Sequence, residues 1–110
     1  MKFIHKGLLD GKWFTLSLCE QMANIGSEVG RAISWRKKGD LKYSQEAFRR
    51  ALDLIDLTLK DFRLRKRLKE VTRLREILCD YFAFDNLYKT TDEALEKYFY
   101  AFTFAARKDK

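Results

Sequence analysis

Few residues in this chain are of a type that does chemistry, and their spacing keeps them apart. There is one histidine, His5, and two cysteines, Cys19 and Cys79. A metal site needs several ligands at short, paired spacings, and none of these three residues lies near another. The acids come in pairs at helical spacing, Asp53 with Asp56 and Glu93 with Glu96, yet no histidine accompanies them. General acid–base work needs groups whose pKa values are shifted in a cleft, and exposed helix faces do not supply that. No glycine-rich phosphate loop occurs. The expectation is a non-enzymatic protein with no catalytic residue, no cofactor and no metal. The isolated cysteines read as buried free thiols acting as small hydrophobes, which suits a reducing compartment, the cytoplasm.

Three features remain to be placed. The first is Arg75. Counting fours and threes from Leu68 through Val71 lands on it, in series with Leu78 and Phe82. A guanidinium stays protonated, so burial demands a partner. It is an anion site in a cleft, or a cross-bundle ion pair for which Glu28 is a candidate partner, or a long stem reaching to the bundle edge. The second is a polar stripe, Glu20, Asn24, Glu28, Arg31 and Trp35. It reads as a binding groove, or as a solvated face on which Arg31 stacks over Trp35. The third is Tyr100 with Phe104, an i, i+4 pair on the face of its helix that should be wet. Adjacent exposed aromatics suggest a covered surface, the cover being the chain's own first residues or a second subunit.

Four helical stretches must position these residues. A chain of 110 residues, 46% hydrophobic and without a single proline, fits one all-α domain. The first helix is expected over 18–38, with Ser17 and Glu20 as a capping box and Gly39 beyond its end. Leu18, Met22, Ile25, Val29 and Ala32 form its stripe. Gly26 and Gly30 beside that stripe would admit another backbone closely. The second helix runs from Leu41 or Ser44 to Lys60, burying Ala47, Phe48, Ala51, Leu52, Ile55 and Leu59. The third spans 63–82 on Leu64, Leu68, Val71, Leu78 and Phe82, with Asp61 as its cap. A loop follows at 83–90, turned by Asp85 and Asn86. The fourth helix, capped by Thr90 or Thr91, runs to Ala106 with Leu95, Tyr98, Phe102 and Ala105 inward. Short connections make neighbours antiparallel. The sum is an up-and-down bundle of four main helices. A leader, residues 1–15, carries Phe3, Ile4, Leu8, Leu9, Trp13 and Phe14, and should pack on it.

Charge is uneven. The net charge is +7, and residues 61–78 hold seven bases against three acids. Arg63, Lys66, Arg67 and Arg73 form a candidate basic patch that could attract nucleic acid. Neither a signal-peptide run nor the roughly 20 apolar residues of a membrane span is present.

Residues 48–62 resemble a segment of the substrate-binding subunits that accompany minimal nucleotidyltransferases, small helical proteins of the HEPN superfamily. The matching positions are Phe48, Leu52, Asp53, Leu54, Thr58, Leu59, Lys60, Asp61 and Phe62. The resemblance implies an up-and-down bundle, often dimeric, that binds a partner protein or a nucleotide. The ribonuclease motif of that superfamily, Arg-x4–6-His, has no counterpart here, since no arginine precedes His5. The expected role is thus an interaction module, a homodimer or a partner-protein subunit, with nucleic-acid binding through the basic third helix as the alternative.

Overall fold

A computed structural model describes residues 11–108, and these are helical with no strand among them. Four helices follow in order: α1 (Leu18–Lys37), α2 (Leu41–Leu59), α3 (Leu68–Ala83) and α4 (Asp92–Lys108). Two 3-10 turns precede α1 and α3, Lys12–Thr15 and Phe62–Leu64.

Local chemistry sets most of the boundaries. Ser17 Oγ accepts from Glu20 N at 3.1 Å and Glu20 returns the bond to Ser17 N at 3.0 Å. This reciprocal cap satisfies two of the N–H groups that the first turn leaves without helical partners. Lys37 ends α1, and Gly39 turns the chain with φ +81°, a left-handed conformation that costs glycine little. Asp40 then caps α2 by accepting from Tyr43 N at 3.1 Å. Thr91 caps α4 through Ala94 N at 3.1 Å.

The third helix starts later than its apolar spacing suggests. Asp61 accepts from Arg63 N at 3.0 Å and folds residues 62–64 into a 3-10 turn. Arg65, Lys66 and Arg67 come next, and three cations suit a helix N-terminus poorly because the macrodipole is positive there. The helix therefore begins at Leu68. Its phase runs through Val71, Leu74, Leu78 and Phe82, all buried. Leu74 is buried and Arg75 only half-buried, because steps of three and of four from Val71 fall on opposite sides of the Val71–Leu78 line and the apolar residue takes the core side.

The helices pack as an up-and-down bundle, antiparallel at each step. Gln45 near the start of α2 donates to Phe82 O at the end of α3, while Asp56 near the end of α2 meets Arg75. Arg36 at the end of α1 meets Asp92 at the start of α4. Helix α1 lies between α2 and α4, and α3 packs on the other side of α2. Small residues govern the closest approaches. Ser44 donates to Ala32 O across the α1–α2 seam at 2.7 Å, and Ala47 and Ala51 continue that face fully buried. Gly26 faces Phe99, where a Cβ would sit only 2.7 Å from the phenylalanine's own Cβ. Hydrogen is the only side chain this crossing admits.

The core contains Met22, Ile25, Val29, Ile33, Leu54, Ile55, Leu78 and Leu95. Phe99 is the buried aromatic of α4, with Tyr98 and Phe102 packed half-buried beside it. The described end of the leader does pack on the body. Trp13 is buried and its indole N–H donates to Thr58 Oγ1 at 3.0 Å. Residues 1–10, with Phe3, Ile4, His5, Leu8 and Leu9, lie outside the described residues.

Candidate functional site

The singled-out side chains fall into separate groups rather than one site. Glu28 is buried and spanned by two guanidinium groups, Arg31 at 2.9 Å and Arg50 at 3.0 Å. The second bond joins α1 to α2. Glu28 is therefore not the partner of Arg75. That arginine pairs with Asp56 at 2.9 Å, and the two side chains are 39% and 49% exposed. This is an inter-helix bridge at the bundle edge, the ion-pair reading of Arg75 with Asp56 in place of Glu28, and not an anion cleft. Cys79 lies within 3.9 Å of the same guanidinium. Both cysteines are free, and both are half-buried rather than buried.

The polar stripe of α1 resolves into local pairings. Asn24 donates to Glu20 O at 2.8 Å, and Arg31 is held by Glu28. Trp35 packs against the Tyr43 ring of α2 at 4.9 Å, and the cation over it is Lys38, at 5.1 Å, not Arg31. The basic patch is also divided. Arg63 chelates Asp61 and donates to Leu16 O, and Arg67 pairs with Glu70 at 2.7 Å. Lys66 and Arg73 are exposed. Because residues 63–67 precede α3, the four bases do not share one helical face.

Two constellations escaped the sequence reading. One is a buried polar knot under the leader. Gln21 donates through Nε2 to Trp13 O at 2.9 Å and to Asp61 Oδ2 at 3.0 Å. The Arg63 hydrogen bond, opposed by burial, holds the Asp61 carboxyl down at about 2. The other ties the ends of three helices. Arg36 bridges to Asp92 at 3.1 Å and lies 4.4 Å over the Tyr81 ring, while the Tyr81 hydroxyl donates to Asp92. Burial, then that bond to a carboxylate, pushes the Tyr81 phenol up to about 12. Polar residues carry no hydrophobic periodicity, so beyond the capping role of Asp61 and the packing of Trp13 neither cluster had a signal in the sequence.

The aromatic pair of α4 lies where the spacing placed it, on the outer face. Tyr100 is 65% exposed and Phe104 56%, and the rings stack with centroids 6.4 Å apart. Tyr100 borders a shallow groove of about 250 Å³ between α1 and α4, open where Gly30 lacks a side chain and edged by Glu96 and Arg107. The described part of the leader packs elsewhere, at the α2 end marked by Thr58.

Among the described residues no group of three or more His, Cys, Asp or Glu side chains could hold a metal. No described helix is long and apolar enough to cross a membrane. Comparison with known proteins adds no relative: no family model, no curated protein and no solved structure matches the chain. The class that fold and surface define is a four-helix up-and-down bundle with an uncovered aromatic face.

Proposed function

We propose that this protein is a non-enzymatic interaction module that acts as a homodimer, joined through the outer face of α4. The stacked, exposed pair Tyr100 and Phe104 carries the reading. Burying such rings would remove about 150–250 Å² each from water. The distribution of charge on the same helix favours a second copy over an unrelated partner. Asp92, Glu93 and Glu96 lie toward its N-terminus, and Arg107 and Lys108 end it. Two copies of α4 crossing antiparallel would set acid against base on both sides of the central aromatics. That is the self-complementary arrangement a two-fold interface requires. The groove at Gly30 would receive a ring from the mate. In this reading the cytoplasm is the setting, in keeping with free thiols. The resemblance of residues 48–62 points to a minimal nucleotidyltransferase as the protein the dimer would serve.

Sedimentation tests the assembly. Tyr100→Glu with Phe104→Glu should convert dimer to monomer at unchanged helicity. Glu93→Lys with Glu96→Lys should weaken the dimer, and adding Arg107→Glu with Lys108→Glu should restore it. A wild-type monomer at high protein concentration defeats the proposal.

A second reading, nucleic-acid binding, is favoured by one observation. Phe62 is 77% exposed, and the Arg65 guanidinium lies 4.8 Å over its ring, next to Lys66. An exposed ring among cations suits stacking on a single-stranded base. Retention on a polyanion column at low salt, lost with rising salt and in Phe62→Ala, is the expected behaviour.

A further inference from the structure

The geometry points to a binding site for a small anionic amphiphile, a chain or ring carrying one carboxylate-like group, in the groove between α3 and α4. The site shares only Leu95 with the groove of the α4 face proposed for assembly. Helices α3 and α4 do not close on each other along their length. They leave a space of about 410 Å³ walled by Leu74 and Ile77 of α3, Leu95 and Tyr98 of α4, and Tyr88 from the connecting loop. That volume falls in the range of small-molecule pockets, roughly 300–1,000 Å³, and apolar walls with a few polar groups are their usual lining.

The charge at the rim selects the ligand. Arg73 and Lys89 both line the groove at exposed positions. The carboxylate present, Glu70, is already answered, by Arg67 at 2.7 Å and by the Tyr98 hydroxyl at 3.1 Å. Two cations thus border an apolar groove whose one lining carboxylate, Glu70, is paired with a third cation, Arg67. A neutral apolar ligand would leave them unanswered, and a cationic one would be repelled by them.

The loop that carries Tyr88 and Lys89 is held in place before any ligand arrives. The buried Asp80 carboxylate accepts from Leu87 N at 2.7 Å and Tyr88 N at 3.0 Å. Asn86 clasps Thr90 in both directions at 2.9 Å. Asn86 and Lys89 both adopt positive φ, 52° and 54°, under these restraints. A pre-formed wall avoids the entropy cost of ordering a loop on binding.

Monomeric decanoate is the probe, with decyltrimethylammonium as a control of the same chain and opposite charge. Titration by calorimetry and by amide chemical-shift mapping on the full chain should show saturable decanoate binding. The shifts should concentrate at Leu74, Ile77, Leu95 and residues 88–90. The control should bind at least ten-fold more weakly. Arg73→Glu with Lys89→Glu, both at exposed positions, should reverse that preference, and Ala94→Trp should block both ligands by filling the groove. Absence of saturable binding overturns the proposal. So does equal binding of the two amphiphiles, a preference the charge reversal leaves unchanged, or shifts centred on Tyr100 and Phe104.

Discussion

The α1–α2 hairpin and the α3–α4 hairpin obey the same antiparallel grammar and end in different states. In the first, serine and alanines line the seam, and Ser44 reaches the backbone of α1. The helices close along their length, and Trp13 and Gln21 seal the open end. In the second, the cross-links are two tyrosine hydroxyls, Tyr98 to Glu70 and Tyr81 to Asp92. Between those two bonds the helices splay and leave the groove. Small residues permit contact, whereas long side chains that meet tip to tip act as struts. The first hairpin is built to be stable, and the second leaves surface to be used.

The strongest way to break that contrast is at the seal. Trp13→Ala should lose about 4 kcal/mol, since it removes a fully buried aromatic and leaves a cavity. Ile77→Ala, at the wall of the groove, should lose only about 1 kcal/mol because its site is already partly open to water. Urea denaturation of both variants measures the difference. Equal losses would mean that the two hairpins are one cooperative unit with no looser half.

Arg63→Ala probes the same seal through its charge. Asp61 is buried, and the arginine's bonds hold its carboxyl near 2, below the ordinary 3.8. A lowered folded-state pKa contributes stability that is complete above pH 3.8 and lost as pH falls through 2. Without the guanidinium, burial alone acts on the carboxyl and pushes it upward. The variant should therefore be about 2 kcal/mol less stable at neutral pH, less than for a fully buried pair because Arg63 is half-exposed. Its acid unfolding, followed by circular dichroism, should begin at higher pH than in the wild type. An unmoved acid limb would show that Gln21 and the backbone hold Asp61 without help.

How much of this contrast was legible follows from what hydrophobic spacing encodes. The faces of α1 and α2 were readable because Met22, Ile25, Val29, Ala47, Ala51 and Ile55 repeat at threes and fours in uninterrupted helix. The Ser17–Glu20 cap, the Gly39 turn and the close approach at Gly26 were readable because each follows from one residue's own chemistry. The place of Arg75 was not, because steps of three and four from Val71 reach Leu74 and Arg75 on either side of one line, and spacing alone does not say which faces the core. In α4, aromatics on several faces left the count two choices, and Phe99 rather than Tyr98 takes the buried position. The polar clusters at Asp61 and Asp92 join residues 11 to 56 positions apart, which no local pattern records.

The finest test concerns the struts themselves. Tyr98→Phe keeps the ring against Phe99 and Phe102 and removes only the hydroxyl that reaches Glu70. Glu70 retains Arg67, so no carboxylate is left alone, and the loss should be about 1 kcal/mol. Burial and then the Glu70 charge raise the Tyr98 phenol well above its ordinary 10.0. Alkaline titration by ultraviolet absorbance should accordingly show a late tyrosine in the wild type and its disappearance in Tyr98→Phe. Tyr81, raised to about 12 by burial and by Asp92, should still titrate late in that variant. If Tyr98→Phe instead loses as much as Arg63→Ala, the strut holds α3 to α4 as firmly as the seal holds the leader. The second hairpin would then be open by construction, a braced gap rather than a loose one, and the groove would keep its shape when empty.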